Sequence, residues 1–353
     1  MRVYYDLGSL PPMGPAALTL GVFDGVHAGH RRLVARTAEL AAEQSIRAVA
    51  VTFWPHPASV LRPAEAPSLL ASLEERLSLL ASLNLLDATV IQPFTSEVAA
   101  LDPNAYLDML QRWCEPRVLV EGPDFALGRD RAGTLAYLRR AGVRRGFSVE
   151  SVTVVEDGER VSSSHIRRLL ENGRMEDAAR LLERPYGLTG EVVEGDKRGR
   201  LLGFPTANLR VNAHSTLPAN GVYAVRVRLP GEHGAAHPAV ANLGVRPTFG
   251  GEPRRLLEVH LLGTTMDLYG LTLGVEWIER LREERRFDGI DALKAQITLD
   301  ALRATDLLGV GAARHALPSQ QWEASARTAE AEPVSHDTEP DAGAEERSKS
   351  PWA

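Results

Sequence analysis

The stretch Gly21-Val22-Phe23-Asp24-Gly25-Val26-His27-Ala28-Gly29-His30 prescribes a strand, a tight turn and a helix in immediate succession. An apolar run from Ala17 ends at Gly21, and beyond His30 the residues Leu33, Val34, Thr37, Leu40 and Ala41 fall on one face of a helical period. A glycine-bounded turn that opens a helix gathers free N–H groups and the positive end of the helix dipole, so it favours an anion. Gly21, Gly25 and Gly29 let the backbone approach a phosphate, while His27 and His30, three residues apart on the first helical turn, point the same way as hydrogen-bond donors. Gly-Lys occurs nowhere in the chain and G-x-G-x-x-G is absent from this turn, which excludes the kinase P-loop and the dinucleotide fingerprint here.

Further apolar runs at 48–53, 89–91 and 117–120 alternate with helical segments carrying Leu73, Leu77 and Leu80, then Tyr106, Leu110 and Trp113. This alternation predicts right-handed βαβ units and an α/β doubly wound parallel sheet, which binds ligands beyond the carboxyl ends of its strands. The turn at Trp54-Pro55-His56-Pro57, where the prolines stop a strand, lies at such an end, as does the segment 121–128 with Asp124 and Phe125. Ser162, Ser163 and Ser164 follow a strand expected to end near Val155 and precede an apolar-periodic run. On residues alone they read equally as helix caps or, with Arg167, as phosphate ligands.

Around residues 183–187 the helical period gives way to short alternating runs, such as Tyr223, Val225 and Val227 on one face, then 257–261 and 273–277. These predict an antiparallel β-barrel, closed by a helix carrying Leu293, Ile297 and Ala301. The expected organisation is a nucleotide-binding domain over 1–183, a barrel domain over 184–314 and a disordered tail over 315–353, which has no apolar period.

Charge and cysteine content narrow the function classes. The tail holds eight acidic and three basic residues, so most of the net charge of −6 resides there and the remainder offers no basic footprint for nucleic acid. The single cysteine, Cys114, excludes an internal disulfide and C-x-x-C metal sites. With no signal peptide and no apolar run of membrane-spanning length, the chain reads as cytoplasmic, without a membrane partner and acting on small molecules.

The H-x-G-H form resembles the signature of nucleotidyltransferases. Together with Thr52–Pro57, Ser162–Arg167, the run Gly199-Arg200-Leu201-Leu202-Gly203-Phe204-Pro205-Thr206-Ala207-Asn208-Leu209, Ala241–Phe249 and Asp267-Leu268-Tyr269-Gly270, it makes the chain resemble the bacterial bifunctional riboflavin kinase/FAD synthetases over residues 15 to 310. The resemblance implies that the amino-terminal domain adenylylates FMN with ATP to give FAD and pyrophosphate, and that the barrel phosphorylates riboflavin with ATP to FMN. It implies ATP contacts at Gly21, Phe23, Asp24, Gly25, Gly29, Ser162, Ser163, Ser164 and Arg167, with His27 and His30 stabilising charge on the phosphates. Pro55, Pro57, Asp124, Phe125 and Arg246 would lie at the flavin.

In the barrel, Gly195, Lys197, Arg198, Gly203, Pro205 and Thr206 would hold ATP, Thr206 and Asn208 would ligate Mg²⁺, and Glu258 would be the catalytic base. The chain departs from the family pattern at Ala126-Leu127, commonly Arg-Phe, and at Ser164-His165, commonly Thr-Arg. A third departure is the segment 262–266, which lacks the aromatic and acidic residues common there. These departures motivate one alternative, a kinase with an inactive or re-specified adenylyl domain. The other alternative is a flavin-binding protein without turnover.

Overall fold

The computed structural model describes residues 1–9, 12–153, 155–156, 159–195, 199, 202–231, 236–246, 254–264 and 266–309. Met1–Arg314 form one unit, and the tail expected to be disordered over 315–353 lies outside the described residues.

The amino-terminal half runs β1 (Arg2–Tyr5), β2 (Ala16–Gly21), α1 (Ala28–Gln44), β3 (Arg47–Trp54), α2 (Pro57–Leu61), α3 (Leu73–Ser82), β4 (Ala88–Pro93), α4 (Ser96–Ala100), α5 (Pro103–Cys114) and β5 (Pro116–Glu121). A two-residue ladder, β6 (Ala126–Leu127) with β7 (Gly133–Thr134), then leads to α6 (Leu135–Arg145) and β8 (Ser148–Ser151). The sheet is parallel throughout, in the order β1-β4-β3-β2-β5-β8. The central strands are apolar because both faces are covered: Leu18, Leu20, Val49 and Val51 pack towards α5, whereas Ala17, Ala48, Ala50 and Val118 pack towards α1.

The strand expected to end near Val155 stops at Ser151. Its register partner β5 ends at Glu121 and turns at Gly122, so Val152 makes the last backbone bond, to the Glu121 carbonyl at 2.9 Å. Val155–Glu156 is instead β9, paired with β10 (Glu159–Arg160).

Two helices follow, α7 (Ser163–Glu171) and α8 (Met175–Leu182), and then the barrel strands β11 (Tyr186–Val193), β12 (Ala207–Val211), β13 (Gly221–Arg228), β14 (His237–Arg246), β15 (Arg254–Leu261) and β16 (Thr272–Arg282). These six close as β11-β12-β15-β14-β13-β16, all antiparallel, and the helix Ile290–Leu308 covers one side. Tyr223, Val225 and Val227 do point into the barrel core. Val222 and Ala224 on the opposite face are buried as well, against Leu281 and Ala304, so β13 alternates only weakly. Ile166, Leu169, Leu170, Ala178, Leu181 and Leu182 of α7 and α8 belong to the same apolar cluster as the barrel interior. The helix that opens at Ser162 is therefore braced by the barrel.

Glu121 ends β5 fully buried, with one carboxylate oxygen accepting the Leu20 N–H at 2.8 Å and the other without a partner. Burial pushes its pKa well above the usual carboxylate value, against the opposing effect of that N–H. The folded chain thus holds a proton that the unfolded chain releases once pH exceeds the ordinary carboxylate value. Glu121 should therefore stabilise the fold less as pH rises above the ordinary carboxylate value, because at this group the unfolded state binds fewer protons, whereas the buried His27 and His30 act in the opposite sense below the ordinary histidine value. Thermal midpoints of the parent and Glu121→Gln from about pH 5 to 8 check this, the expected outcome being that the parent loses stability relative to the variant as pH rises.

Candidate active sites

The turn between β2 and α1 is unusually constrained. Phe23, Gly25 and Val26 have φ of 53°, 77° and 41°, and such angles in a β-branched or aromatic residue persist only where surroundings enforce them. Phe23 and Val26 are fully buried, and the Val26 N–H donates to the Phe23 carbonyl at 3.1 Å. A Cβ on Gly25 would meet the Leu70 side chain at 2.9 Å, so glycine is required there for packing as well as for φ.

Asp24, 2 % exposed, accepts from the Leu70 N–H at 2.9 Å and the Ala71 N–H at 3.1 Å, and pairs with the Arg167 guanidinium. Arg167 also donates to the Ser68 carbonyl at 2.6 Å, and Ser163 Oγ donates to the Asp24 carbonyl at 3.0 Å. Arg184 closes the same turn by donating to the Gly25 carbonyl at 2.8 Å.

His27 is the N-cap of α1, its Nδ1 accepting from the His30 N–H at 3.3 Å, which leaves Nε2 as the ring's donor. The two imidazoles stack at 3.7 Å and 16°, and Phe23 meets His30 edge-on at 5.2 Å. Burial, reinforced by Arg184, Arg167 and Arg160, lowers His27 to about 4. Burial, with His27 and Arg76 adding to it, holds His30 well below its ordinary value. Both rings are therefore neutral donors at pH 7, and the positive charge around them is carried by arginine.

The three serines divide. Ser162 caps α7, accepting from the His165 N–H at 3.2 Å; Ser163 ties α7 to the turn; Ser164 is exposed. Pro57 opens α2, where His56 Nδ1 accepts from the Ala58 N–H at 3.1 Å, and Pro55 precedes it in the same turn. Asp124 is exposed and pairs with Arg160, and its carbonyl accepts from Arg131 at 2.6 Å. Phe125 packs against the apolar layer on the α5 side of the sheet. Arg76 and Arg184 were not singled out in the sequence. Arg76 sits in a helix beside Glu74 and Glu75 and reads there as a solvated surface charge.

A second centre is a cavity of 440 Å³ in the barrel, lined by Thr206, Asn208, Asn242, Glu258 and His260, with Leu293, Ile297 and Ala301 of the closing helix forming one wall. Strand register brings the polar groups together: Asn208 on β12 and Asn242 on β14 both stand opposite Glu258 on β15, and Asn242 Nδ2 donates to Glu258 Oε2 at 3.4 Å. His260 Nδ1 bonds the Pro205 carbonyl at 2.8 Å, fixing the backbone just before Thr206. The wall is held by Arg282, which pairs with the buried Asp300 at 2.8 Å.

Asn208 lies against the Gly195 backbone, where any Cβ would collide with its amide. Gly203, with φ of 88°, ends the segment before Phe204. Lys197 and Arg198 lie outside the described residues, as does the Arg246 side chain; its backbone is in β14 opposite Arg254. Among the described residues no group of three or more His, Cys, Asp or Glu could hold a metal ion. The cavity supplies instead the hydroxyl of Thr206, the amide oxygen of Asn208 and the Glu258 carboxylate, hard oxygen donors that suit Mg²⁺ arriving on a nucleotide's phosphates.

Family models match both halves of the chain: FAD synthetase over residues 12–165 and riboflavin kinase over residues 182–308. The bifunctional riboflavin kinase/FMN adenylyltransferase of Escherichia coli K12 is 38% identical over 88% of this chain and 98% of its own length. That of Pseudomonas fluorescens is 39% identical over 84% and 94%, and that of Bacillus subtilis 35% identical over 82% and 91%. A crystal structure titled as a macrolide-efflux protein from Streptococcus pneumoniae superposes with a TM-score of 0.78 at 27% identity, covering 87% of this chain and 99% of that one. With a family model on each half and relatives matched over nearly their full lengths, the chain belongs to the bifunctional riboflavin kinase/FMN adenylyltransferase family, with an amino-terminal FMN adenylyltransferase and a carboxy-terminal riboflavin kinase.

Proposed function

We propose that the two reactions run at the two centres described above, each carried by this chain's own residues. Residues 1–183 form the adenylylating domain and 184–314 the kinase domain. Its substrates are riboflavin, FMN and ATP, with Mg²⁺ as the cation, in the cytoplasm and without nucleic-acid or membrane partners. Among the described residues no helix is long and apolar enough to cross a membrane.

In the kinase centre the observation that carries the reading is the Asn208–Glu258–Asn242 row across three strands. It places a carboxylate in the cavity next to the Thr206 and Asn208 oxygens, with its orientation fixed by Asn242. Glu258 takes the proton from the ribityl 5′-hydroxyl as that oxygen attacks the γ-phosphate of ATP. Thr206 and Asn208 would hold Mg²⁺, which when bound would neutralise phosphate charge. The amide of Glu258→Gln keeps size and hydrogen bonding but takes no proton. Phosphorylation of riboflavin should fall about 10²–10⁴-fold while FAD still forms from supplied FMN, as chromatography of the products will show. A fall below about tenfold would leave Glu258 a structural residue.

In the adenylylating centre the FMN phosphate attacks the α-phosphate of ATP and pyrophosphate leaves. His27 and His30 act as neutral donors to the oxygens that gain charge, and Ser162, Ser163, Ser164 and Arg167 close the site from α7. No covalent intermediate is needed, since positioning and preorganised donors suffice. His27→Ala or His30→Ala should cut FMN adenylylation about 10²–10³-fold, the usual loss for one preorganised donor, and leave riboflavin phosphorylation near parental. Initial rates with FMN and with riboflavin, measured separately, check this.

A further inference from the structure

Arg76 is a fully buried guanidinium with no ion-pair partner among the described residues. It is 0 % exposed, yet no carboxylate among the described residues forms an ion pair with it. Nη1 donates to Thr52 Oγ1 at 3.3 Å and to the Phe53 carbonyl at 3.2 Å, and the guanidinium lies over the Trp54 ring at 5.5 Å. Nε and Nη2 have no hydrogen-bond partner among the described residues. Asp24 acts on Arg76 electrostatically, but its carboxylate is already engaged by Arg167 and by the Leu70 and Ala71 N–H groups. An unpaired buried charge is among the least favourable arrangements in a folded chain, and sequences retain such groups chiefly where function uses them.

The location points to that use. Thr52, Phe53 and Trp54 are the carboxyl end of β3, where a parallel sheet binds ligands, and Thr52 Oγ1 also donates to the Val22 carbonyl at 3.0 Å in the turn leading to the histidines. His30, on which Arg76 acts electrostatically, likewise has a buried Nδ1 without a partner. Arg76, Arg167 and Arg184 thus lie about two neutral imidazoles with two engaged carboxylates, Asp24 and Glu75, the latter held by the Ser72 N–H at 2.8 Å, which leaves positive charge in excess for an anion to meet. The unpartnered groups on Arg76 are also the right ones. Nε–H and Nη2–H form the side-on edge of guanidinium, the pair that meets two oxygens of one phosphate.

We propose that Arg76 is a phosphate-binding residue of the adenylylating site, its Nε/Nη2 edge taking two oxygens of a substrate phosphate. This rests on the placement of that site at the 21–30 turn. The phosphate belongs either to FMN or to ATP, and kinetics separate them.

The test uses the full chain with Arg76→Met and Arg76→Lys. Methionine removes an unpaired buried charge, so R76M should melt no lower than the parent and phosphorylate riboflavin at the parental rate. Its kcat/KM for FMN adenylylation should fall about 10- to 100-fold, the range for one charge-assisted contact. R76K, which keeps the charge but loses the two-point edge, should fall between. A rise in KM confined to FMN assigns the flavin phosphate, and one confined to ATP assigns the nucleotide. Adenylylation within about threefold of parental in R76M would overturn the proposal. So would a lowered melting temperature with both activities falling together, the mark of a prop for the Trp54 turn. Should R76M fail to fold, parental adenylylation in R76K overturns it instead. His30→Ala run alongside separates this failure from that of the site itself: loss there with no effect at Arg76 sinks only the Arg76 assignment.

Discussion

The carboxylate of Asp24 organises the amino-terminal site. Sequestered from water, it accepts two backbone N–H groups from Leu70 and Ala71 and pairs with Arg167, so one side chain joins the β2–α1 turn, the segment before α3, and α7. The strained turn and its histidines are held by this junction. Removing one member of a buried charge pair leaves the other uncompensated, which typically costs about 3–5 kcal/mol. The junction reaches further, because Leu69 next to it exchanges backbone bonds with the barrel: its N–H donates to the His214 carbonyl at 2.7 Å, and its carbonyl accepts from the Thr216 N–H at 2.8 Å. Tyr186 Oη donates to the Thr216 carbonyl at 2.6 Å from β11. The adenylylating turn is thus tied to the barrel at one end and braced by it through α7 at the other, while the kinase cavity lies on β12, β14, β15 and the closing helix.

Electrostatics assigns different work to the two centres. Around His27 and His30, arginines and burial keep the imidazoles neutral, so they contribute directed N–H groups and the guanidinium groups contribute charge. Under the proposed assignment such a site would receive a polyanion and cost no reorganisation as charge moves from the α-phosphate to the leaving pyrophosphate. The barrel cavity is the reverse. Around Glu258 its lining is two amides and a hydroxyl, with His260, Arg282, Glu284, Arg285 and Asp300 completing the polar wall, and under the proposed assignment the Glu258 cluster suits proton removal beside a cation-bound nucleotide.

Much of this was legible before any coordinates. The buried strands announced themselves because β2, β3, β4 and β5 are covered on both faces and carry continuous apolar runs. β1 did not, since Arg-Val-Tyr-Tyr is an edge strand, largely exposed and with no apolar run to mark it. The histidine pair was readable from a three-residue spacing, whereas the three serines before an apolar period read equally as caps or phosphate ligands, and only the structure makes Ser162 the cap. The roles of Asp24 and Arg76 were not. Asp24 meets partners 46 and 143 residues away, and Arg76 meets the end of β3, 23 residues back, contacts that no local pattern encodes. Glu258 showed on periodicity only a polar strand position; its place opposite Asn208 and Asn242 depends on a register set by barrel closure.

The central claim is that two chemically independent sites share one unit, with Asp24 holding only the first. Initial rates of both reactions in Asp24→Asn, measured below its melting temperature, test it most directly. The account predicts that FAD formation from supplied FMN falls at least about tenfold further than riboflavin phosphorylation, as expected from losing a buried charge pair at one site alone. Equal losses in the two reactions, or FAD formation at the parental rate, would contradict it.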